Sequence, residues 1–347
     1  VRAAARAAGS EYGLASATAA AGAAGDLLAA RWSAWLLVET LTADGRLAEA
    51  AQAAGSAAQA CAADLAYSWQ TRFLAAELWC TALRGAETDG VVRRAGDLTD
   101  RTLPALARGY ATAAASLVEA DGGLLAPARA RLSAVAAVGP VEWVRREAAW
   151  LDGQPSIALE QLVDASDFVA GLHEITSRWA AADLGVAPPD RSGPAHVAVA
   201  ATLDAWKSAS GFDRAAAAWH DLAVREEVRC LLAQGMHESD PARAVPPLLA
   251  AEQLAERAGL VVLLGRTRRA LRRHAVRRDQ RGPRAGTELT DRERDVLHLV
   301  AAGEPTRRIA GQLGISTETV ETHIRSGMRK LGARTRTEAA ARLGQAS

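Results

Sequence analysis

The sequence predicts an all-α protein in two parts, a long helical array followed by a compact four-helix module. Three observations predict it. From Asp26 onward apolar residues recur at helical spacing, and no segment alternates at period two. The helical text is punctuated at intervals by Asp-Gly, Ser-Gly or Ser-Asp-Pro, residues that favour turns. Charge is uneven: the 347 residues sum to +1, yet residues 266–347 hold 19 Arg plus Lys against 9 Asp plus Glu, a balance of +10 that leaves −9 for the rest.

In chain order, residues 1–25 are Ala, Gly and Ser with little pattern, which fits a frayed helix or a disordered tail. Leu27, Leu28, Trp32, Trp35, Leu36 and residues 38–41 then make one strongly apolar helix. Asp44-Gly45 ends it, and Leu47, Ala50, Ala51 and Ala54 begin the next. Comparable breaks fall at Asp89-Gly90, Asp121-Gly122, Asp152-Gly153, Ser210-Gly211 and Ser239-Asp240-Pro241. Their successive steps are 45, 32, 31, 58 and about 29 residues, with 58 close to two repeats. Periods in the low thirties belong to tetratricopeptide-like helix pairs, in which small Ala residues let neighbouring helices approach. Residues 26–275 therefore read as a degenerate tetratricopeptide-like sensor or interaction domain, with an irregular helical bundle as the alternative. All nine Trp precede His220 and most sit on helical stripes, which points to repeat core rather than a ligand cage. A Pro-rich loop at 188–194 interrupts the array. An Arg-rich helix from 266 closes it, and residues 276–287 read as a basic, flexible linker.

Residues 288–347 carry the module. Thr290 and Glu293 have capping-box spacing, and Val296, Leu297 and Val300 continue as an apolar stripe that Gly303 ends. Ile309, Ala310 and Leu313 mark a second short helix. Gly314-Ile315-Ser316 then supplies a tight turn with positive φ at Gly314 and a cap at Ser316. The third helix, 317–331, buries Val320, Ile324 and Leu331, while Glu318, Glu321, Thr322, Arg325 and Arg329 form the opposite, polar stripe. A fourth helix starts near Thr335 with a second box to Glu338 and packs Ala339 and Leu343. Two helices joined by a short Gly-containing turn form a helix-turn-helix, whose second helix enters the major groove.

These residues resemble the LuxR-type helix-turn-helix of bacterial transcription regulators. The matching text includes Leu289-Thr290, Arg292-Glu293, Val296-Leu297, Ala302-Gly303, Ile309-Ala310, Leu313-Gly314-Ile315-Ser316, Thr319-Val320, His323, Lys330-Leu331-Gly332 and Arg336-Thr337-Glu338-Ala339. The resemblance covers less than a fifth of the chain. Three departures stand out. Pro305 and Thr306 rebuild the start of the second helix. Arg308 replaces a Glu that takes part in an internal ion pair in the family. Glu321 stands where a Lys aimed at DNA is common. What the resemblance implies is a sequence-specific transcriptional regulator that docks its third helix on double-stranded promoter DNA, as a dimer on paired half-sites, with RNA polymerase as a further partner. Glu321, Thr322 and Arg325 are the expected base-edge residues. Thr317, Thr319, His323, Arg329, Lys330 and Arg336 are the expected contacts around the DNA backbone.

The order of acidic helical array, Arg-rich helix, linker and LuxR-type end also resembles the C-terminal part of the large ATP-binding LuxR (LAL) regulators, most closely over 219–273. That implies an effector or partner for the array, and an ATPase upstream. Here there is no Gly-Lys-Ser/Thr phosphate loop: the two lysines, Lys207 and Lys330, follow Trp206 and Arg329. The chain accordingly reads as a C-terminal portion or a shortened relative.

Other chemistry finds no pattern. The seven His show no metal-ligand spacing, and Cys61, Cys80 and Cys230 are scattered, so no catalytic residue, cofactor or metal is expected. His220 and Asp221 are adjacent, so their side chains diverge on a helix and point to a solvated surface rather than to catalysis, and Cys230 reads as core. No apolar run is long enough to span a bilayer, and a cytoplasmic, nucleoid-associated, non-enzymatic protein is the expectation. The competing reading is a protein-binding helical scaffold whose DNA module Glu321 and Arg308 have weakened.

Overall fold

A computed structural model describes residues 11–101, 103–136, 139–162, 166–188, 196–274, 289, 291–301, 304–313, 317–333, 335–336, 338–339 and 342. They are helical, and no strand occurs among them. The chain divides into two compact units, Val1–Val276 and Arg277–Ser347. In the first run α1 (Glu11–Ala23), α2 (Leu27–Ala43), α3 (Leu47–Ala63), α4 (Tyr67–Arg84), α5 (Val91–Thr99), α6 (Ala105–Asp121), α7 (Leu125–Ser133), α8 (Pro140–Leu151) and α9 (Pro155–Ala158). There follow α10 (Asp167–Leu184), α11 (Val197–Ser208), α12 (Phe212–Trp219), α13 (Val224–His237), α14 (Pro241–Arg257) and α15 (Val261–Arg273). Helix α1 lies inside the segment that the sequence left as frayed helix or tail.

One turn recurs between these helices. After α2, α3, α6, α8 and α14 a residue with positive φ ends the helix, and the next amide reaches back five residues. The bonds are Arg46 N to Leu41 O (2.9 Å), Ala66 N to Cys61 O (2.8 Å), Leu124 N to Glu119 O (2.7 Å), Gln154 N to Ala149 O (2.8 Å) and Leu260 N to Ala255 O (2.9 Å). This Schellman closure answers carbonyls that the helix end would leave bare. At Gly45 both backbone and space demand glycine: φ is +74°, and a Cβ would lie 2.9 Å from Phe168 Cε2. Leu65 makes the same turn at φ +56° with an exposed side chain, a conformation that costs an L-residue about 1 kcal/mol.

The sequence breaks fall between helices, but they sample only some of the turns. Gly90, Gly153 and Gly211 take positive φ as Gly45 does, whereas near Asp121-Gly122 that role passes to Gly123. Asp240 caps α14 by accepting from Ala242 N at 3.0 Å. The turns at Leu65 and Gly259 carry no Asp-Gly signal, so the intervals counted from the text overstate the helix spacing.

Successive helices pack on one another, and α4, α6, α8 and α10 also stack in turn. A strictly linear array would stop there. Here α2 also meets α10, and α6 meets α15. The core is aromatic: Trp35, Trp79, Trp143, Trp150, Trp179 and Trp219 are buried, as the stripe reading expects, and Trp79 meets Trp143 edge-on at 6.0 Å. Trp32 lies at the surface, 48% exposed, against the edge of Trp69. Cys61, Cys80 and Cys230 are free and buried, and burial pushes the Cys230 thiol up to about 12. His220 and Asp221 stand in a turn after α12 rather than on a helix, and the His220 ring meets Glu227 at 3.1 Å on the surface.

Buried charge crosses this core. Arg225 on α13 binds both oxygens of Asp121 at the end of α6, with Nε to Oδ1 at 2.9 Å. One turn further, Arg229 pairs with Glu147 of α8 and with Glu226 Oε1 at 2.9 Å, and its guanidinium lies 4.6 Å from the Trp150 ring centroid. Thr176 of α10 donates to Glu147 Oε2 at 2.7 Å. Burial, with Glu147 beside it, holds the Glu226 carboxyl above the ordinary carboxylate range. No described helix is long and apolar enough to cross a membrane, and no cluster of three or more potential metal ligands occurs among the described residues.

Candidate nucleic-acid interface

The second unit holds α16 (Asp291–Ala301), α17 (Thr306–Leu313) and α18 (Thr317–Leu331). Its core is built from the stripes the sequence shows. Val296, Ile309, Ala310, Val320 and Ile324 form one buried cluster with Leu299, Val300 and Met328 against it, and Leu297 and Ala339 form a second, flanked by Leu331. Pro305 starts α17 by lending its carbonyl to the amides of Arg308 (2.8 Å) and Ile309 (3.1 Å), so the missing amide hydrogen costs the helix nothing there. Beyond α18, Arg336, Glu338, Ala339 and Arg342 are helical, and Glu338 N donates to Thr335 Oγ1 at 3.1 Å, one half of the expected capping box. Thr290, Gly303 and the turn at 314–316 lie outside the described residues.

With Val320 and Ile324 turned inward, α18 presents the opposite stripe to solvent. Thr317, Thr322, Arg325 and Arg329 are exposed, and Thr319 and His323 are half-buried beside them. Thr322 donates to its own helix at Glu318 O (2.9 Å), and Arg325, exposed, donates from Nε to Glu321 O at 3.3 Å. No ion pair or side-chain hydrogen bond ties the Arg329 guanidinium to a described residue. The exposed stripe thus carries the Thr322 hydroxyl and the Arg325 and Arg329 guanidiniums, with the Glu318 carboxylate at its start.

Three expected contacts are drawn into the unit itself. Lys330 Nζ donates to Glu293 Oε2 at 2.6 Å, and Glu293 is 4% exposed, so this pair staples α18 to α16. Glu321 Oε1 accepts from Thr306 Oγ1 at 3.0 Å and pairs with Arg336, linking α17, α18 and the segment after it. The hydrogen bond from Arg336, helped by Thr306, holds the Glu321 carboxyl below the usual carboxylate range. Arg308 in turn meets Glu304 at 3.4 Å. Two of the three departures thus find partners within the unit: the carboxylate at 321 answers Arg336, and Arg308 answers Glu304. Glu321→Ala should lower the stability of this unit by about 0.5–1 kcal/mol, read as a fall in its urea midpoint, since the pair is part-exposed. An unchanged midpoint would mean that the bond carries no net stability.

Gly327 escaped the sequence reading. A Cβ there would lie 2.8 Å from Leu297 Cδ1, so its absence lets α18 lie close on α16. The signal was a glycine inside an otherwise strong helical pattern, which usually marks a packing need.

A short helix pair, a core that fixes its angle and an exposed Arg/Thr ridge define a helix-turn-helix DNA-binding domain. Residues 287–343 match the family described as bacterial regulatory proteins, luxR family. Through this domain the chain belongs to that family: the spore germination protein GerE of Bacillus subtilis is 44% identical over 55 residues, 16% of this chain and 74% of that protein. The HTH-type transcriptional activator RamA of Corynebacterium glutamicum is 53% identical over 53 residues, 15% of this chain and 19% of its own length. The nitrate/nitrite response regulator protein NarP of Escherichia coli is 51% identical over 51 residues, 15% of this chain and 24% of its own. This chain thus spans about a fifth of RamA and a quarter of NarP. No solved structure matches it significantly.

Proposed function

We propose that the chain is a sequence-specific transcriptional regulator that lays α18 in the major groove of promoter DNA. The single observation that carries this reading is the outward ridge of Thr322, Arg325 and Arg329 on a helix whose other face is locked by Val320 and Ile324. Arg325, exposed and with neither terminal nitrogen in a hydrogen bond or ion pair within the unit, is suited to a bidentate bond with guanine, and Thr322 to a neighbouring base. Thr317, Thr319, His323 and Arg329 flank them as contacts to the backbone. Lys330, Arg336 and Glu321 act chiefly by fixing the helix, and Arg336, part-exposed, also faces a phosphate. Dimeric docking on paired half-sites and engagement of RNA polymerase belong to the same reading.

The array is the regulatory part. Its helix hairpins, closed by one repeated turn, favour a tetratricopeptide-like layout that binds an effector or protein partner, in the manner of the LAL regulators. The scaffold alternative rested on Glu321 and Arg308 spoiling the DNA module, and their pairing with Arg336 and Glu304 weighs against it.

The test is a gel shift of the whole chain on a pool of promoter fragments. Specific retardation is expected, and its absence on every fragment would leave only the scaffold. Arg325→Ala should cost about 1–3 kcal/mol of specific binding and relax the preference at one base pair. A binding curve identical to the parent's would remove Arg325 from the base-reading set.

A further inference from the structure

The last helix of the array divides its arginines into two kinds. Those on its flanks are engaged. Arg266 binds both oxygens of Asp183, with Nη1 to Oδ2 at 2.9 Å, and stacks 4.7 Å from the Trp150 centroid. Arg268 reaches Glu252 at 2.7 Å and Glu256 at 2.9 Å. Arg269, Arg272 and Arg273 stand at i, i+3 and i+4, all exposed, and no ion pair links them to a described residue. They face away from the side of α15 that buries Leu263, Thr267, Ala270 and Leu271. Acidic residues outnumber basic ones before residue 266, so a face of three unanswered guanidiniums is out of keeping with the rest of this unit.

We infer that this α15 face binds the phosphate backbone of duplex DNA, as a second, sequence-blind contact beside the α18 ridge. Three exposed guanidiniums on one helix face have the sign and the donors to meet phosphates, and each phosphate neutralised releases counterions. Only 14 residues, 275–288, separate His274 from Leu289, a span of at most ~50 Å fully extended. A duplex held by the second unit therefore lies within tether range of the face. The inference rests on the DNA-binding reading above, and its signature differs. The α18 ridge sets which sequence is chosen, and the α15 face sets how steeply binding depends on salt.

The test titrates the whole chain with a long random-sequence duplex and with a promoter pool across a salt series. In Arg269→Gln/Arg272→Gln/Arg273→Gln the slope of log affinity against log salt should fall by about 2–3, with affinity at low salt reduced roughly tenfold or more. The choice among promoter fragments should be unchanged, and far-ultraviolet circular dichroism should report an intact array. A charge-matched control, Arg101→Gln/Arg214→Gln/Arg257→Gln, replaces three exposed arginines elsewhere on the array and should keep the parental slope. Equal slopes for parent and face variant would overturn the inference, as would an equal loss in the control. If the parent chooses no promoter fragment, the α18 reading fails, and the random duplex still decides for or against the α15 face.

Discussion

Arg229→Ala should destabilise the array by about 3–5 kcal/mol, seen as a large fall in its urea midpoint. The guanidinium is wholly buried and is the cation for both Glu147 and Glu226. Removing it leaves two carboxyl groups in a dry interior, one of them still bonded to Thr176, and opens a void beside Trp150. The Glu226 carboxyl, which burial already holds above the ordinary carboxylate range, then loses the cation that opposed that shift. A raised carboxyl contributes stability that is present at low pH and lost as pH rises. The deficit of the variant should therefore shrink between neutral pH and about pH 5. A loss that stayed constant over that window would assign the effect to the void instead of the stranded charges.

Ile324→Ala should abolish specific DNA binding while leaving the unfolding of the array unchanged. Ile324 is 1% exposed in the small cluster with Val296, Ile309 and Val320, and truncating such a side chain costs about 2–5 kcal/mol. A unit of this size rarely has more than about 3–5 kcal/mol in total, so one substitution removes most of it. The change touches none of the exposed residues of α18. Retained binding with normal salt dependence would show that the angle of α18 is set by something other than this cluster.

How much of this was legible in the text depends on what each residue is paired with. The stripes in residues 291–331 could be read because Val296, Ile309, Val320 and Ile324 are buried by local helical period alone, and the bounds of α18 fell where its cap and apolar spacing put them. The indole core was legible for the same reason. The roles of Glu321 and Lys330 were not, because Arg336 and Glu293 lie 15 and 37 positions away and nothing in local spacing announces such a meeting. The turn at Leu65 hid because a leucine there takes the backbone conformation that glycine takes at Gly45. Asp121 and Arg225, 104 positions apart, are beyond any periodic argument, and a reader of the text sees two ordinary surface charges.

That last pair, with Glu147–Arg229, has a bearing on how such a chain changes over generations. Arrays held only by next-door packing grow or shrink by copying or dropping a hairpin. Here an extra hairpin spliced between positions 147 and 225 would drag both arginines off their carboxylates and leave buried charge unpaired. The number of hairpins between α6 and α13 is thereby fixed.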